Sequence, residues 1–463
     1  MQTDFISQLK ALIQPDDRIL DEALCWNYGY DNSRLHALPE AVIFARDHEQ
    51  IVALVKLCRA HQVPIISRGA GTGTTGATVP DKGGIILSFE RMNKILEIDP
   101  ANRLIIAEPG VTNQTIQQAA AEHGFFWAPD PTSSAVCTIG GNLAYNSAGP
   151  RAVKYGTTRD NVLQLTLVTG KGDTLRTGVK TTKGVVGYDL TRLIIGSEGT
   201  LGIITQATLK LLPIPRAKRT LQITYDSIHS AATAIAAIMA QPVIPCALEF
   251  IDKHAIDMIR DYSTAHLPEH AGAMLMVEID GSEKALDEDL EAIIKAAKNN
   301  GQKNNGCLEV KQAQSAQEIK ALWETRKALS PALRKIAPKK INEDVVVPVS
   351  RIPELIDGLD KLSQKYGIPI VNFGHAGNGN IHVNLLTDPD DAQLQIKAHD
   401  CLQEVFELVL DLEGTLSGEH GIGLVKKEYV GKELDAISLA YMQAIKEQFD
   451  PQNILNPGKS FPE

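Results

Sequence analysis

The chain has 463 residues, of which 43% are hydrophobic and 22% charged, a composition that is typical of a globular protein with two or three domains. Its formal net charge of −10 and the lack of a Lys/Arg-rich run argue against a nucleic-acid partner. The six cysteines include no Cys-x-x-Cys pair, so we expect no iron–sulfur module. Residues 1–20 lack an apolar signal core, and no run of about 18 apolar residues occurs. We therefore expect a cytoplasmic protein without a membrane span.

A β-α-β unit is predicted near the start of the chain. Residues 41–45 are apolar and short enough for a buried strand. Asp47 has the position of a helix N-cap, with Gln50 three residues later, and the apolar residues from 51 to 61 recur on one helical face. Residues 63–67 form the second predicted strand.

A glycine-rich loop follows this second strand. Residues 71–76 match G-x-G-x-x-G, the pattern of a Rossmann dinucleotide-binding loop, which requires a helix to begin here. Pro80 and the pair Gly83-Gly84 follow too closely for that helix, so we reject the Rossmann interpretation. A Gly/Thr loop can still hold phosphates with backbone N–H groups and hydroxyls, and a flexible surface loop is the alternative.

The rest of the first half continues as short strands and one long polar segment. We predict strands at 85–88, 95–98, 104–107 and 162–168, and a helix from 113 to 123 that ends at Gly124. Residues 129–150 are rich in Gly, Pro and Ser but carry interspersed apolar residues, which favours an ordered segment that wraps a ligand. Alternating prolines at 212–216 indicate a connector between domains.

In the second half, strands and helices alternate again. We predict strands at 221–224, 247–251, 274–279 and 345–349, and an amphipathic helix at 392–413. Two proline turns at 450–459 indicate an ordered tail rather than a frayed end.

Two histidines flank a Gly/Asn loop in residues 372–384. His382 and Asn384 share one face of a predicted strand, and the glycines allow a tight turn that can bring His375 and His382 together. Two imidazoles and the carboxylate of Glu419 are a common divalent-metal ligand set with open positions, and His420 beside it could act as a base. Taken singly, each fragment is explained equally well by a strand histidine, a turn or a polar loop.

Eight motifs occur together in one order and resemble the FAD-linked 2-hydroxyacid dehydrogenases of the vanillyl-alcohol-oxidase-like fold. The nearest members are the glycolate oxidase catalytic subunit and the FAD-dependent D-lactate dehydrogenases, and D-2-hydroxyglutarate dehydrogenase is a relative. The resemblance covers the chain from about residue 39 onward, and the motifs are Arg68-Gly-Ala-Gly-Thr-Gly, Pro129-Asp-Pro, Ile139-Gly-Gly-Asn, Lys154-Tyr-Gly, Gly196-Ser-Glu-Gly-Thr-Leu-Gly, Gly374-His-x-Gly-x-Gly-Asn-x-His, Gly418-Glu-His-Gly and Asn456-Pro-Gly-Lys.

The resemblance implies an α+β architecture. Residues 1–216 would form an FAD-binding domain of the vanillyl-alcohol-oxidase (PCMH) type with two subdomains. Residues 217–420 would form a cap domain with an antiparallel sheet flanked by helices, which carries the substrate and metal sites. Residues 421–463 would return to the FAD domain.

The resemblance also implies roles for individual residues. His375, His382 and Glu419 would bind a divalent metal, expected to be Zn or Mn, and His420 would be the catalytic base. Arg326 would bind the substrate carboxylate, with Asn384 and Ser330 also at the substrate, although composition alone would make Arg326 a solvated helix cation. The expected FAD-binding residues are Arg68, Gly69, Gly71, Thr72, Gly73, Thr74, Gly76, Pro129, Thr132, Gly140, Gly141, Asn142, Gly149, Glu198, Gly202, Ile203, Ile204 and Asn456.

Two departures from the family pattern affect the expected chemistry. The loop at 68–76 has no histidine, so we expect the FAD to be bound non-covalently. Asn342 stands where the hydroxyglutarate relatives carry a lysine, and Lys340 is close but out of register. We therefore expect a small monocarboxylic substrate, glycolate or D-lactate, ahead of D-2-hydroxyglutarate.

The expected reaction passes electrons from the flavin to an acceptor other than NAD, namely a partner subunit, a cytochrome, a quinone or oxygen. A homodimer and a peripheral position at the inner membrane are left open. The competing interpretations are an FAD oxidase of another alcohol on the same fold and a scaffold subunit that has lost its flavin.

Overall fold

The computed structural model describes residues 3–260, 267, 269–298 and 306–462, and the side chains of residues 330, 331 and 334–336 also lie outside the description. The chain divides into two compact units. The first contains Met1–Gly149, Gly156–Ile214 and Glu419–Glu463, and the second contains Pro150–Tyr155 and Pro215–Gly418. The expected domain boundaries at 216 and 420 stay a prediction, and the sequence analysis did not single out residues 150–155.

The helices and strands are numbered here in chain order. The strands are β1 Arg18–Ile19, β2 Ala41–Phe44, β3 Ile65–Arg68, β4 Ile85–Ser88, β5 Ile95–Asp99, β6 Leu104–Ala107, β7 Phe125–Phe126, β8 Val162–Val168, β9 Thr174–Gly178, β10 Ile203–Lys210, β11 Leu212–Pro213, β12 Ala217–Tyr225, β13 Ala247–Asp252, β14 Ala273–Gly281, β15 Cys307–Gln312, β16 Lys339–Val346, β17 Ile370–His375 and β18 Asn380–Thr387. The helices are α1 Thr3–Leu12, α2 Glu22–Cys25, α3 His48–His61, α4 Asn113–Ala121, α5 Ile139–Tyr145, α6 Ala152–Tyr155, α7 Leu190–Ile194, α8 Ile228–Met239, α9 Lys253–Ile259, α10 Glu283–Lys298, α11 Ala316–Ile336, α12 Ile352–Tyr366, α13 Ala392–Asp411, α14 Val430–Glu433 and α15 Ala436–Phe449. None of these described helices is long and apolar enough to cross a membrane.

The first unit contains a small sheet of order β1-β2-β4-β3 and a larger antiparallel sheet of order β5-β6-β10-β8-β9. β2, β4 and β3 are parallel, as the predicted β-α-β unit requires. The connecting helix α3 begins where the Asp47 side chain accepts a hydrogen bond from the Gln50 N–H, and it buries Ile51, Leu54 and Val55 against the sheet. The predicted strands, helix cap and buried helix face are therefore present.

No helix follows the glycine-rich loop, since residues 69–84 between β3 and β4 form turns. The rejection of a Rossmann motif is confirmed. The segment at 129–150, which is predicted to wrap a ligand, contains one helix that the sequence analysis did not predict, α5, which begins at the capping side chain of Thr138. A pair of adjacent glycines, Gly140 and Gly141, disfavours a helix.

The second unit is built on a seven-stranded antiparallel sheet of order β15-β12-β14-β13-β17-β18-β16. Because side chains alternate along each strand, the sheet has two faces of different composition. One face is apolar, with Leu248, Phe250 and Leu275 among its buried residues. The other face packs on α9 and α11 through an apolar cluster that includes Ile251, Met274, Leu329, Leu333, Phe373 and Leu386.

This second face also carries buried polar side chains, which is unusual for a sheet interior. They lie in register on neighbouring strands, since Glu249 is opposite His375 and Met276, and His382 is opposite Phe373 and Asp344. Each is buried, with at most 7% of its surface exposed, and the set is Thr220, Gln222, Glu249, Glu278, Asp344, His375, His382 and Asn384. Such a buried polar layer needs hydrogen-bond partners, and these define the candidate site.

The short segment 150–155 belongs to the second unit because of one buried carboxylate. Asp280, at the end of β14, accepts hydrogen bonds from Lys154 Nζ at 2.6 Å and from the Tyr155 hydroxyl at 2.8 and 2.9 Å. Lys154 Nζ also donates to the Asp280 backbone carbonyl at 2.7 Å. A side chain nearly closed to solvent and bonded by two donors, Lys154 Nζ and the Tyr155 hydroxyl, holds this segment to the sheet.

Candidate active site

A cleft of about 610 Å³, including its open mouth, lies in the first unit. Its lining comes from the end of β3, the start of α5 and the turn before β10. Of the residues expected to bind FAD, the lining includes Arg68, Gly69, Gly140, Gly141, Glu198, Gly202 and Ile204. The remainder of the expected set lies outside this lining: Gly71, Thr72, Gly73, Thr74, Gly76, Pro129, Thr132, Asn142, Gly149, Ile203 and Asn456.

The glycines around the cleft are required by close backbone approach. A Cβ on Gly140 would lie 2.7 Å from Pro109 Cβ, and a Cβ on Gly69 or Gly73 would collide with Thr138 or Tyr145. Gly71 and Gly76 have φ values of +69° and +78°, which only glycine adopts readily. The result is a concave surface made of backbone, which suits the close approach of a large cofactor.

Arg68 does not extend a free guanidinium into the loop. Its Nη1 donates to the Tyr30 carbonyl at 2.6 Å, and its guanidinium carbon lies 5.8 and 5.9 Å from the rings of Tyr28 and Tyr30. Burial lowers the pKa of Arg68 below its ordinary value, although the charge of nearby Asp31 opposes this shift. Arg68 thus fixes the N-terminal segment against the loop while lining the cleft.

Two other expected FAD residues use their polar groups within the protein. The Asn142 amide oxygen accepts from Asn113 Nδ2 at 3.2 Å, and its amide nitrogen is 3.4 Å from Cys137 Sγ. The Ile203 side chain packs in the hydrophobic core with Val168, so only its backbone can face the cleft. Contact of Asn142 and Ile203 with the cofactor stays a prediction.

Glu198 ties the loop that follows Glu419-His420 to the cleft. Its buried carboxylate accepts from Ile422 N at 2.5 Å, Gly423 N at 2.8 Å and the Ser460 hydroxyl at 2.8 Å. Burial raises the pKa of Glu198, and these hydrogen bonds oppose the rise. Asn456 Nδ2 donates to the Glu198 carbonyl at 2.7 Å, so the C-terminal segment completes the same structure.

His420 lies in this loop and is partly buried. Its backbone carbonyl accepts from the Thr75 hydroxyl at 3.3 Å, and the neighbouring residues Leu424 and Val425 donate to the Thr75 carbonyl. The proposed base is therefore held directly against the glycine-rich loop of the first unit.

In the second unit, the β17-β18 hairpin brings His375 and His382 together as the glycines predicted. The turn at 376–379 ends at Gly379 with φ +77°, and the two imidazole centroids are 5.4 Å apart at 82°. Glu419 is the residue after Gly418, whose N–H donates to the Asp344 carbonyl at 3.0 Å and carboxylate at 2.9 Å. The ligand atoms of His375, His382 and Glu419 lie within 4.8 Å of one another.

This donor set is chemically suited to a divalent metal. Two imidazole nitrogens and one carboxylate oxygen are preferred by Zn²⁺ and accepted by Mn²⁺, and a set of three leaves coordination positions for substrate. The residues predicted from sequence to be ligands are thus close enough to share one ion.

A buried carboxylate that the sequence analysis missed lies behind His375. Glu249 Oε1 is 2.6 Å from His375 Nδ1, and Glu249 Oε2 accepts from Arg326 Nε at 2.5 Å. Burial would raise the pKa of Glu249, but the charges of His375 and Arg326 outweigh it and lower the pKa. The sequence signal was one acidic residue within the apolar strand Leu248-Glu249-Phe250.

Arg326 is buried and paired, not solvated, which contradicts the interpretation from composition. Besides Glu249, it contacts the face of Phe373, whose ring centroid is 4.9 Å from the guanidinium carbon. Ser330, the other substrate residue expected on α11, has a side chain outside the described structure.

Asn384 lies on the same face as His382 but is fully buried. Its Nδ2 donates to the carbonyls of Val371 and His382, both at 3.0 Å, so the amide nitrogen supports the strands. Asn342 is directly opposite Asn384 across β16 and β18, and Lys340 is two residues from Asn342 on the same strand. Lys340 and Asn342 therefore face the same side of the sheet, which the sequence analysis had not resolved.

Comparison with known proteins decides the family. Residues 214–460 match the model described as FAD linked oxidases, C-terminal domain, and residues 39–178 match that of an FAD binding domain. The chain belongs to the FAD-linked oxidases. This FAD-linked oxidase is 41% identical to the Bacillus subtilis glycolate oxidase subunit GlcD over 435 residues, or 94% of this chain and 92% of the relative.

Two further relatives carry different names. The FAD-linked oxidase is 33% identical to a D-lactate dehydrogenase of Anaerostipes hadrus, with 96% of this chain and 95% of the relative covered. It is 32% identical to a D-2-hydroxyglutarate dehydrogenase of Stutzerimonas stutzeri, with 98% of each covered.

The solved structure of p-cresol methylhydroxylase with substrate bound shares the fold. The TM-score is 0.79 at 17% identity, over 99% of this chain and 96% of the other. The predicted α+β fold of the PCMH type is confirmed, and the protein is an FAD-dependent oxidoreductase that acts on a CH–OH group.

Proposed function

We propose that this FAD-linked oxidase uses a divalent metal to oxidise a small D-2-hydroxyacid, glycolate or D-lactate, to the 2-oxoacid. The relatives named glycolate oxidase subunit and D-lactate dehydrogenase support this substrate class. The observation that carries the proposal is the cluster of His375, His382 and Glu419, whose ligand atoms lie within 4.8 Å. An oxidase of another alcohol has no need of this cluster, and a scaffold subunit has no need of the glycine-lined cleft.

When bound, the flavin would supply the hydride acceptor and the metal would lower the pKa of the substrate hydroxyl. A ring nitrogen of His420 takes the hydroxyl proton. The two terminal nitrogens of Arg326 pair with the substrate carboxylate, because Glu249 already holds its Nε. The buried Arg326–Glu249 pair thereby offers an oriented cation to the substrate.

The FAD is proposed to be non-covalent, because residues 68–76 contain no histidine. Acid precipitation should then release the flavin into the supernatant, and colour that stays with the protein pellet would contradict it. Zn or Mn is the proposed metal, since both accept His and carboxylate ligands.

The electron acceptor in this proposal would be a partner subunit, a cytochrome or a quinone. The name of the Bacillus subtilis relative as a subunit supports an acceptor outside the chain. A homodimer and a peripheral position at the inner membrane remain alternatives within the same proposal.

D-2-hydroxyglutarate is the second candidate substrate, and the shared orientation of Lys340 and Asn342 favours it specifically. Its distal carboxylate needs a cation when buried, and an amide such as Asn342 cannot neutralise that charge. Lys340 lies two residues before Asn342 on β16 and faces the same side of the sheet. Its side chain is long and flexible enough to compensate for this difference in position.

The deciding experiment is turnover of a panel of 2-hydroxyacids with an artificial electron acceptor, before and after chelation of metal. Bleaching of the flavin by glycolate or D-lactate, lost on chelation and restored by Zn²⁺ or Mn²⁺, is the expected result. Turnover that survives complete metal removal would overturn the metal-dependent mechanism.

A further inference from the structure

Glu249 is connected to two groups with different tasks. Its two carboxylate oxygens are shared between an imidazole and a guanidinium, at 2.6 Å and 2.5 Å. It is completely buried, and it lies directly opposite His375 in the β13-β17 pair. The strand register therefore places the Glu249 side chain beside that of His375.

The contact with His375 determines which imidazole nitrogen carries a proton. An ionised carboxylate only accepts hydrogen bonds, so the nitrogen that faces Glu249, Nδ1, must be the donor. The other nitrogen, Nε2, is then the one left to bind a metal once it carries no proton. The orientation of the ring is fixed by the same bond.

The contact with Arg326 determines the direction of the guanidinium. Arg326 lies on α11, whereas Glu249 and His375 lie on the sheet, so the carboxylate joins the helix to both strands. Phe373, next but one to His375 on β17, supports the other side of the guanidinium at 4.9 Å. The position of Arg326 is therefore set relative to His375.

We propose that Glu249 is a positioning residue that fixes the His375 tautomer for metal binding and the Arg326 guanidinium for the substrate carboxylate. This inference rests on the proposed function, because it names the residue that holds both the proposed metal ligand His375 and the proposed substrate-binding residue Arg326. Disturbing Glu249 is therefore expected to change metal affinity and substrate affinity together.

Glu249→Gln is the informative variant, because it keeps the size of the side chain. Arg326 Nε can only donate, so the glutamine oxygen turns to Arg326 and its NH₂ group faces His375. Nδ1 must then accept, which places the imidazole proton on Nε2, the nitrogen needed by the metal. We expect metal affinity to fall about 10- to 100-fold and the KM for glycolate or D-lactate to rise.

Glu278→Gln is the matched control. Glu278 is also buried on β14 of this sheet and also contacts α11, through Trp323 Nε1 at 3.3 Å. Its carboxylate also accepts from Lys218 Nζ at 3.1 Å, the Thr220 hydroxyl at 3.3 Å and Cys246 Sγ at 3.7 Å. None of these described hydrogen bonds involves His375 or Arg326. It should lose comparable stability and keep the metal affinity of the unaltered enzyme.

The test uses the full-length FAD-loaded enzyme. Affinity is measured by titration of the metal-free protein with Zn²⁺ and with Mn²⁺, with His382→Ala as the variant that should bind neither. In parallel, ¹⁵N NMR of histidine-labelled, metal-free enzyme reports which His375 nitrogen is protonated, assigned with His375→Gln. The expected signals are Nδ1–H in the unaltered enzyme and Nε2–H in Glu249→Gln.

The two hypotheses fail in distinguishable ways. Equal metal affinity in Glu249→Gln and Glu278→Gln, alongside tight binding by the unaltered enzyme, overturns the role of Glu249 and leaves the proposed function intact. An unaltered enzyme that binds no metal overturns the proposed function instead. The measurement on the unaltered, metal-free protein needs no variant to fold, and a His375 Nδ1 that carries no proton there overturns the positioning role.

Discussion

The two units of this FAD-linked oxidase build their sites from different materials. The cleft of the first unit is shaped by backbone, with glycines whose Cβ atoms would collide with neighbours such as Pro109. The site of the second unit is shaped by side chains that hold one another, such as Arg326, Glu249 and His375. A cleft formed by backbone should keep its shape after a substitution that adds no atoms to it. A network of hydrogen-bonded charges, in contrast, is disrupted when one of its side chains is removed.

The largest effect is expected from removing a side chain of the second unit. His382→Ala should abolish metal binding and reduce turnover by about 10³-fold or more, because a metal supplies several kcal/mol of charge stabilisation. Flavin absorbance should persist, since the glycine-lined cleft is unchanged. Metal content and turnover measured on one preparation check this. Full activity in a metal-free variant would show that turnover does not need the metal.

His420→Asn tests the base in the first unit. The backbone of this loop is held by Glu198 and Thr75, so the substitution should leave flavin and fold intact. Turnover should fall about 10²- to 10⁴-fold, the usual contribution of a positioned base. Single-turnover flavin reduction measures the step directly. Near-normal reduction would assign the proton transfer to another residue.

Lys340→Ala tests whether the second unit also selects the substrate. The unaltered enzyme should prefer glycolate or D-lactate to D-2-hydroxyglutarate in kcat/KM, and the variant should change these values less than tenfold. The measurement is kcat/KM for all three acids on both proteins. A preference for hydroxyglutarate that is lost in the variant would mean that Lys340 binds the distal carboxylate.

The cleft of the first unit is formed by backbone, so FAD binding should be weakened by a substitution that adds atoms to a glycine. Gly140→Ala places a methyl group 2.7 Å from Pro109 Cβ, and overpacking of this kind costs about 1–3 kcal/mol. The expected result is weaker FAD binding with unchanged metal affinity. Flavin content after gel filtration checks it.

Gly124→Ala is the control for this variant. Gly124 has φ +79° with no neighbouring atom within 4 Å, so alanine costs only about 1 kcal/mol of backbone strain. Flavin lost to the same extent from both variants would show that general stability, not the cleft surface, holds the cofactor.

The sequence revealed the parts of the site that are local. His375 and His382 are joined by one tight turn, so the glycines between them were enough to predict their meeting. The strands at 41–44 and 65–68 and the Asp47 cap were equally local patterns. Arg326 and Glu249 are 77 residues apart and Glu249 and His375 are 126 apart, and no period or motif connects such pairs.

The same limit explains two features of the fold that the sequence analysis did not predict. The segment 150–155 is assigned to the second unit by bonds to Asp280, which is 126 residues from Lys154, so its own sequence could not reveal that assignment. Helix α5 contains two glycines that disfavour a helix, and the cap at Thr138 and the packing of Ile139 and Leu143 in the core override that preference.

The edge of the first sheet is completed by the end of the chain. β3 is an edge strand, and the Ile65 N–H donates to the Ile454 carbonyl at 2.7 Å while the Asn456 N–H donates to the Ile65 carbonyl at 2.9 Å. During synthesis on the ribosome, the outer edge of β3 therefore stays unpaired until almost the entire chain has been made. An uncovered strand edge invites pairing with other chains. A prematurely terminated product would keep that edge, and with it a route to aggregation.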